Sequence, residues 1–461
     1  MQFIRKLFAP VDMTEGRPWE KILLFTLPLL LGNIAQQLYN TVDSVVVGKC
    51  VGDLALASVG SAAPIFNLLI VLFVGISMGA SIKVAQYFGA RDREALSRTI
   101  GSCIVLTIIS SVFVMVIGTL CARPLLELLN TSEEIIDWCT SYLHILFLGG
   151  AGLAFYNILS GVLRGLGDSV SALLYLIVAS VLNIILDVLF VAEFNMGVAG
   201  VALATSIAQA VSAVLCALKL YRMKHLFDMK RKYIRWDREY AMNVVRLGLP
   251  SGVTQAIMSL SMIIVQSLTN SFGTQFVAAN VIVMRVDGFA MLPNFSFGTA
   301  MTTFTGQNVG ARQYDRVKAG AKQGTLLALA VSCAITVAIL FFGRPLMGIF
   351  TDTAELVDVS MRMMHILAVG YIAVAITQSL SGVMRGVGDT MTPMWISIVQ
   401  TVLLRVPLAY LLCYLTRTPE LPNGRKECLF ISLLLSWCIA TIITVIFYAR
   451  GKWKRKMEII K

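Results

Sequence analysis

The chain contains 461 residues, of which 57% are hydrophobic and 14% are charged, and its formal net charge is +12. This composition, with a mean hydropathy of +0.78, excludes an ordinary soluble domain and predicts a polytopic membrane protein. Basic residues held at a cytoplasmic membrane surface explain the positive charge, so it gives no reason to expect a nucleic-acid partner.

Twelve apolar segments follow one another along the chain, each close to the roughly 20 residues that a helix needs to cross a membrane. Their hydrophobicity is continuous, which excludes the alternating strands of a membrane β-barrel. The prediction is therefore an all-α fold with twelve transmembrane helices. The segments lie at 22–48, 55–82, 95–121, 135–162, 169–192, 197–220, 243–270, 276–304, 319–342, 355–383, 390–415 and 428–449.

One unit of the sequence occurs twice, displaced by 221 residues. Ser160–Asp168 returns almost unchanged as Ser381–Asp389, and Gln86–Arg91 returns with the same glycine and arginine positions as Gln307–Arg312. Since each copy has an even number of helices, both copies enter the membrane from the same side. A pseudo-twofold axis along the membrane normal is therefore predicted to relate two six-helix bundles. The predicted divisions are an amino-terminal lobe, a basic cytoplasmic linker and a carboxy-terminal lobe, at 1–220, 221–242 and 243–461.

Lysine and arginine collect in segments that would share one face of the membrane. They are dense before the first helix, between the second and third helices, in the central linker and after the last helix, whereas Glu133 and Glu134 lie on the opposite side. The positive-inside rule predicts a protein of the cytoplasmic membrane with both termini in the cytoplasm. The sequence has no phosphate-binding loop of the P-loop type, so ATP is not expected to drive the protein.

Polar residues inside the predicted helices concentrate in the first copy. Asn183 and Asp187 are four residues apart in the fifth helix and so share a face, and Thr205 lies in the sixth helix. A rise of about 1.5 Å per residue places Asp43, Asp187 and Thr205 in the outer half of the membrane. Spacings of three, four and three residues put four polar side chains on one face of the first helix: Asn33, Gln36, Asn40 and Asp43.

These residues offer carboxylate, amide and hydroxyl oxygens, which are the ligands that hard cations take. Two nearby carboxylates in a low-dielectric site also favour the uptake of one proton, so the residues alone leave Na⁺ and H⁺ open as the ion. A hydrogen-bonded polar core that only fixes helix packing is a further alternative. In the second copy the positions equivalent to Asp43, Asn183 and Asp187 are apolar, so an ion site is expected only in the amino-terminal lobe.

The second copy has other charges inside the membrane, with Arg285 and Asp287 in the eighth helix and Arg405 in the eleventh. An ion pair between Asp287 and Arg405 would neutralise both and is the simpler interpretation, with a role in substrate binding as the alternative. Pro28 lies inside the first helix, where loss of a backbone hydrogen bond permits bending and predicts a hinge. Polar groups and adaptable methionines are the candidates for lining a substrate cleft: Asn33, Gln36, Tyr39, Asn40, Met258, Met262, Met284, Asp287 and Met291.

Several motifs in combination resemble a known family. They are Tyr39–Asp43 followed by Gly48, the repeated Gln86–Arg91 and Ser160–Asp168 segments, and Asn183 with Asp187 followed by Gly197–Thr205. Over residues 15 to 450 the chain is similar to the multidrug and toxic compound extrusion (MATE) transporters, and within them most similar to the DinF-like branch. Other branches carry acidic residues in the seventh and tenth helices, where this chain has Gln255, Gln266 and Gln378.

The resemblance implies a secondary antiporter, not an enzyme, in which two lobes rock to expose a central site to each side of the membrane in turn. It implies export of cationic or amphipathic small molecules in exchange for Na⁺ or H⁺, with the cation held by Asp43, Asn183, Asp187 and Thr205. We expect a monomer that contacts membrane lipids and needs no cofactor besides the coupling ion. The alternatives are a flippase for lipid-linked saccharides and an intramembrane prenyl or acyl transferase, although the metal-binding and histidine motifs of such an enzyme are missing from the sequence.

Overall fold

The computed structural model describes residues 10–129, 131–230, 232–351, 353–419 and 421–459. Within these ranges it describes every side chain except those of residues 40, 43–45, 48–50, 53, 56, 69, 452, 456, 458 and 459. Helices make up most of the described chain, which confirms the predicted all-α fold.

The helices of the first copy are joined by short turns. Helices α4 and α5 form a bent pair whose axes differ by 50°. In chain order the elements are α1 Pro18–Cys50, α2 Asp53–Gly89, α3 Arg93–Leu128, α4 Glu133–Leu148, α5 Gly150–Gly165, α6 Ser169–Asp187, the π-helical segment π1 Val188–Glu193, and α7 Gly197–Arg222.

The second copy repeats this order after the central linker. Its elements are α8 Arg238–Asn270, α9 Thr274–Gly310, α10 Tyr314–Gly348, α11 Ala354–Val387, α12 Met391–Ile398, the π-helical segment π2 Val399–Arg405, α13 Val406–Leu415, α14 Cys428–Ala449 and α15 Lys452–Ile459. In the described chain, eleven helices are long and apolar enough to cross a membrane, and the bent pair α4–α5 makes a twelfth when it is counted as one span. The predicted number of spans is thereby confirmed.

Aspartates cap the helices that follow the repeated loops. At the start of α3, Asp92 Oδ1 accepts a hydrogen bond from the Ala95 amide at 2.9 Å. At the start of α6, Asp168 Oδ1 accepts one from the Ser171 amide at 2.9 Å. Such caps satisfy amide groups that a helix start leaves without partners. The repeated loop that ends at Asp168 therefore fixes where α6 begins.

Repeated glycines let two helices cross closely in each copy. A Cβ added at Gly165 of α5 would lie 2.7 Å from the carbonyl oxygen of Ser81 on α2. A Cβ added at the equivalent Gly386 of α11 would lie 2.5 Å from the carbonyl oxygen of Thr302 on α9. Small residues allow such close backbone approach between helices in a membrane. The repeated motif is therefore explained by packing.

The predicted span 135–162 is bent. The chain breaks between α4 and α5 at Gly149 and bends there. Gly149 and Gly150 are consecutive, and glycine pairs weaken a helix and permit sharp kinks. In the second copy Tyr371 occupies the position of Gly150, and α11 runs through it without a break.

The fifth helix of each copy also departs from a regular α-helix. Asp187 ends α6 and π1 follows directly, whereas π2 interrupts the later helix and ends at Arg405. Such segments are rare and commonly occur at functional sites. Hydrophobic periodicity does not distinguish them from α-helix, so the segments 169–192 and 390–415 could be predicted only as single helices.

Contacts group the chain into two compact units. The described parts of each unit fall within Met1–Asp12 and Leu27–Gly252 for unit 1, and within Met13–Thr26 and Val253–Lys461 for unit 2. These limits differ from the predicted lobes because the first turns of α1 group with unit 2 and the first turns of α8 group with unit 1. The changes of unit lie close to Pro28 and Pro250, which are inside α1 and α8.

Each unit has its own hydrophobic interior. In unit 1, one cluster joins Ile158 and Val162 of α5 to Ile76 of α2. In unit 2, Tyr371 packs with Trp437, and their ring centroids are 6.0 Å apart. These interiors hold the helices that carry the polar residues described next.

Candidate functional site

A buried acid–amide pair of unit 1 lies on α6. Asn183 and Asp187 are 1% and 0% exposed, and Asn183 Nδ2 donates a hydrogen bond to Asp187 Oδ2 at 3.0 Å. Their spacing of four residues brings the two side chains onto one helix face. An ionisable group at this depth in a membrane helix costs roughly 2.5 to 3.5 kcal/mol on insertion scales, and such groups usually mark function.

The amide oxygen of Asn183 has no hydrogen-bond donor in the described part of the chain. Asn183 Oδ1 is buried and accepts no hydrogen bond from any described residue. A buried polar atom left without a partner costs about 1 to 3 kcal/mol. A cation bound beside Asp187 would take this oxygen as a ligand and remove that cost. The pair therefore suits a monovalent ion, and its carboxylate also suits a proton.

Thr205 lies on the helix next to this pair. Helix α7 packs against both α6 and π1. Thr205 is half-buried, and its hydroxyl forms no hydrogen bond with another described residue. The structure thus places Thr205 on a neighbouring element without joining it to Asp187.

Asp43 lies outside the described side chains. Its backbone belongs to α1, which contacts α6 where an added Cβ at Gly32 would lie 3.4 Å from Leu173. Of the predicted cation residues, the structure therefore joins Asn183 to Asp187, and the parts assigned to Asp43 and Thr205 stay predictions.

The predicted cleft residues differ in their exposure. Met291 packs in the hydrophobic core of unit 2, which favours a structural role. The side chain of Asn40 lies outside the described ones. The others, apart from Asp287, are half-buried at Asn33, Tyr39, Met258 and Met284, and exposed at Gln36 and Met262. Their lining of one cleft stays a prediction, as does the hinge at Pro28.

A second polar cluster lies in unit 2. The Tyr371 hydroxyl donates a hydrogen bond to Asp287 Oδ1 at 2.9 Å, and Tyr371 is 0% exposed. Sequence reasoning named Asp287 but missed Tyr371. The available signal was the repeat, because Tyr371 stands where the first copy has Gly150.

The ion pair predicted between Asp287 and Arg405 is not formed among the described residues. Arg405 forms no ion pair and no hydrogen bond with any described residue. One oxygen of Asp287 is instead bonded to Tyr371 on α11. Both Asp287 and Arg405 are half-buried, so neither is sealed in the interior of the unit.

An apolar cavity of about 390 Å³ also lies in unit 2. It is bounded by α9 and α10, and its lining includes Phe289, Ile339 and Phe350. No charged or polar side chain lines it. The cavity can therefore take an apolar group but offers nothing to an ion.

Comparison with known proteins identifies relatives along nearly the whole chain. A family model described as MatE matches residues 28–189 and again residues 250–411, once in each copy of the repeat. The chain is 31% identical over 457 residues to the "Probable multidrug resistance protein YoeA" of Bacillus subtilis, and the match covers 97% of each. It is 23% identical over 443 residues to the "Probable multidrug resistance protein NorM" of Thermotoga maritima, covering 95% of this chain and 93% of the relative.

Solved structures show the same fold. A chain described as the "Outward-facing conformation of a multidrug resistance MATE family transporter of the MOP superfamily" matches with a TM-score of 0.90 and 24% identity. The match covers 98% of this chain and 99% of that chain. The helices described above therefore follow an architecture known from experiment.

Proposed function

The chain belongs to the MATE family, and on that premise we propose that it is a secondary antiporter that exports small organic molecules in exchange for Na⁺ or H⁺. The family match supports transport and no enzymatic activity. The relatives are described as multidrug resistance proteins, which supports cationic or amphipathic compounds as the substrates. Neither comparison favours the flippase.

The observation that carries the coupling proposal is the buried pair Asn183–Asp187. A carboxylate and an unbonded amide oxygen lie side by side within a membrane-spanning stretch. The equivalent positions of the second copy hold Leu404 and Leu408. Helix packing alone does not require a polar pair at these positions, because the second copy has leucines there. We therefore assign the ion to unit 1.

Exchange follows from competition between charge states. When an external ion neutralises Asp187 in the outward-open state, substrate binding weakens and the inward-facing arrangement is favoured. When the ion leaves toward the cytoplasm, the charged site favours uptake of the next substrate. A membrane potential contributes about 2.3 kcal/mol per charge per 100 mV, and a pH difference of one unit contributes about 1.4 kcal/mol. Either contribution corresponds to roughly a tenfold or greater accumulation.

Charge also supports the location and orientation of the chain in the membrane. The central linker and the start of α3 are rich in arginine and lysine, and such segments stay in the cytoplasm. We therefore propose the cytoplasmic membrane as the location, with both termini inside and substrate moving outward between two lobes that rock against each other.

The proposal is tested with purified protein in liposomes. Uptake of a fluorescent organic cation is driven separately by a Na⁺ gradient and by a pH gradient, which identifies the ion. We expect Asp187→Asn to lower gradient-driven uptake at least tenfold, because the amide cannot exchange a proton and binds a cation more weakly. Asp43→Asn, predicted from the sequence alone, should do the same.

The matched control is Asp315→Asn. The side chain of Asp315 is 99% exposed, so this variant loses the same charge outside the membrane and should transport normally. A size-exclusion profile and a melting temperature show that each variant is folded. Full gradient-driven uptake by a folded Asp187→Asn protein would refute the coupling assignment.

A further inference from the structure

Two buried cysteines of unit 2 lie on the helices that flank its last loop. Cys413 is 2% exposed near the end of α13, and Cys428 is 3% exposed at the first residue of α14. Ala409 of α13 packs in one hydrophobic cluster with Leu429 and Leu433 of α14. Cys413 follows Ala409 by four residues and is buried on the same helix face. Its side chain is therefore directed toward the helix that Cys428 begins.

The loop between these helices folds back onto the end of α13. The Thr416 hydroxyl donates a hydrogen bond to the Cys413 carbonyl at 3.2 Å and accepts one from the Arg425 amide at 3.0 Å. A Cβ added at Gly424 would lie 2.1 Å from the same Cys413 oxygen, so the two backbones nearly touch. The loop thus returns the chain to α13 just before Cys428.

The thiol of Cys428 reaches the same turn of α13. Its Sγ atom donates to the Leu412 carbonyl at 3.6 Å and lies 3.4 Å from the Thr416 hydroxyl oxygen. Leu412 is the residue before Cys413, and the two thiols lie within hydrogen-bonding range of each other. Both are free thiols in this structure. Neighbours of this kind can form a disulfide with little movement of the backbone.

We propose that Cys413 and Cys428 form a disulfide that closes the last outer loop. Asn423 of this loop donates to the Ser271 carbonyl, where α8 has ended, at 2.7 Å. With both termini in the cytoplasm, α8 begins inside and ends outside, so the loop lies on the outer face. Disulfides form and persist in oxidising compartments outside the cytoplasm.

The bond forms by exchange with the disulfide of an external oxidant, either a thiol oxidoreductase or a small disulfide. The thiolate of one cysteine attacks the oxidant, releases its first thiol and leaves a mixed disulfide. The thiolate of the other cysteine then attacks the protein sulfur of that mixed disulfide and releases the second thiol. The protein loses two protons and two electrons, which the oxidant gains as two thiols. Because both cysteines are buried in the folded chain, this exchange takes place while the loop folds.

The disulfide would constrain a loop that is specific to the second copy. In the first copy π1 ends at Glu193 and α7 begins at Gly197, so the corresponding loop is short. In the second copy the chain leaves α13 after Leu415 and reaches α14 only at Cys428. Closing this longer loop removes freedom from the unfolded chain and so stabilises unit 2. The proposal stands apart from ion coupling and from the substrate.

The test maps the disulfide in protein made in a Gram-negative host, whose periplasm is kept oxidising. Free thiols are blocked with N-ethylmaleimide as the membranes are opened, and the denatured protein is digested with trypsin without reduction. Cleavage at the lysines and arginines places Cys413 on residues 406–417 and Cys428 on residues 427–450. We expect mass spectrometry to find these two peptides joined, and to find them separate after reduction.

Matched variants identify the sulfur atoms. Cys438 lies on the same tryptic peptide as Cys428, so Cys438→Ala should keep the joined peptides, whereas Cys428→Ala and Cys413→Ala should each abolish them. A host that lacks its periplasmic thiol oxidase should yield separate peptides. The chain has nine cysteines, so the denatured wild-type protein should present seven free thiols before reduction and nine after it.

Thermal unfolding tests whether the bond stabilises the protein. A reductant should lower the melting temperature of the wild-type protein by roughly 5 °C or more and should leave that of Cys428→Ala unchanged. Nine free thiols in the unreduced wild-type protein would overturn the proposal, as would joined peptides that persist in Cys428→Ala. Both results leave gradient-driven transport untouched, so failure of the disulfide and failure of the antiporter are distinguishable.

Discussion

Among the described residues, Asp287 accepts a hydrogen bond only from the hydroxyl of Tyr371, which is a buried residue. The Tyr371 oxygen lies 2.9 Å from Asp287 Oδ1 and 3.3 Å from Met364 Sδ. A thioether is only a weak acceptor, so the Tyr371 hydroxyl donates its hydrogen bond mainly to the carboxylate of Asp287. Within the described part of unit 2, the orientation of Asp287 thus depends on the hydrogen bond between α9 and α11.

We expect Tyr371→Phe to lower the free energy of unfolding by about 1 to 3 kcal/mol, because a hydrogen bond to a charged group is lost while the ring packing is kept. Thermal unfolding in detergent measures the change. Tyr410→Phe is the control, since Tyr410 is 45% exposed and its hydroxyl forms no hydrogen bond with a described residue. Equal melting temperatures for Tyr371→Phe and the wild-type protein would contradict a stabilising role for this bond.

Some contacts of these residues can be predicted from the sequence and others cannot, for a physical reason. Asn183 and Asp187 could be paired because four residues of helix bring two side chains together by geometry alone. Asp287 and Tyr371 are 84 residues apart, and their contact depends on how α9 and α11 pack. The ion pair predicted for Asp287 and Arg405 was wrong for the same reason, since charge alone does not fix side-chain distance.

At the scale of the helix, backbone approach explains the strongest sequence motif. Gly165 and Gly386 stand at equivalent positions, and each faces a carbonyl oxygen of a crossing helix. A methyl group cannot enter either place unless the helices separate. The motif Ser160–Asp168 and its repeat are therefore conditions for the close pairs α2–α5 and α9–α11.

Gly386→Ala should destabilise the protein by about 1 to 3 kcal/mol, the range found when an extra carbon is forced into a packed interior. Gly348→Ala is the matched control, because nothing lies within 4 Å of a Cβ added there, and it should leave stability nearly unchanged. Thermal unfolding of both variants in the same detergent makes the comparison. If Gly386→Ala were as stable as Gly348→Ala, the close crossing would be wrong.

Helix type and length were predictable, but helix irregularity was not. Long apolar runs predict spans because hydrocarbon leaves a helix as the main way to bond the backbone. Gly149 lies against Ser206 of α7, π1 packs against α7, and π2 packs against α14, and none of these contacts can be inferred from an apolar run. An apolar run has the same composition whether its carbonyls bond four or five residues ahead, so composition carries no signal for π1 or π2.

At the scale of the whole molecule, the repeat determines the arrangement of the helices in each copy. The charged and polar residues inside the helices are where the two copies differ. Unit 1 places Asn183 and Asp187 in its interior, whereas unit 2 places Asp287 and Arg405 at half-buried positions. The frame could be predicted from 221-residue matches. The limits of the units could not, because the first turns of α1 and α8 each group with the other half of the sequence.

Contacts inside each unit show which loops share a face of the membrane. In unit 1, Arg93 at the start of α3 donates a hydrogen bond to Asp228 in the linker at 2.8 Å, and this bond lowers the pKa of Asp228. In unit 2, the Tyr314 hydroxyl at the start of α10 donates to the Met457 carbonyl at 3.1 Å. In each contact, four membrane spans separate the two residues along the chain, if the bent pair α4–α5 counts as one span. An even number of spans returns the chain to the same face. We therefore expect the bent pair to cross the membrane as one span.

An even number of crossings predicts that both ends of the chain lie on one side. We expect a fluorescent protein that matures only in the cytoplasm to fluoresce when fused to either terminus. Asn423 contacts the Ser271 carbonyl between α8 and α9 at 2.7 Å, on the opposite face, so alkaline phosphatase fused after residue 423 should be active outside. Fluorescence from one terminus alone would mean that α4–α5 enters and leaves on the same side. The contact of Arg93 with Asp228 would then be impossible within one folded unit, because an odd number of spans would separate them.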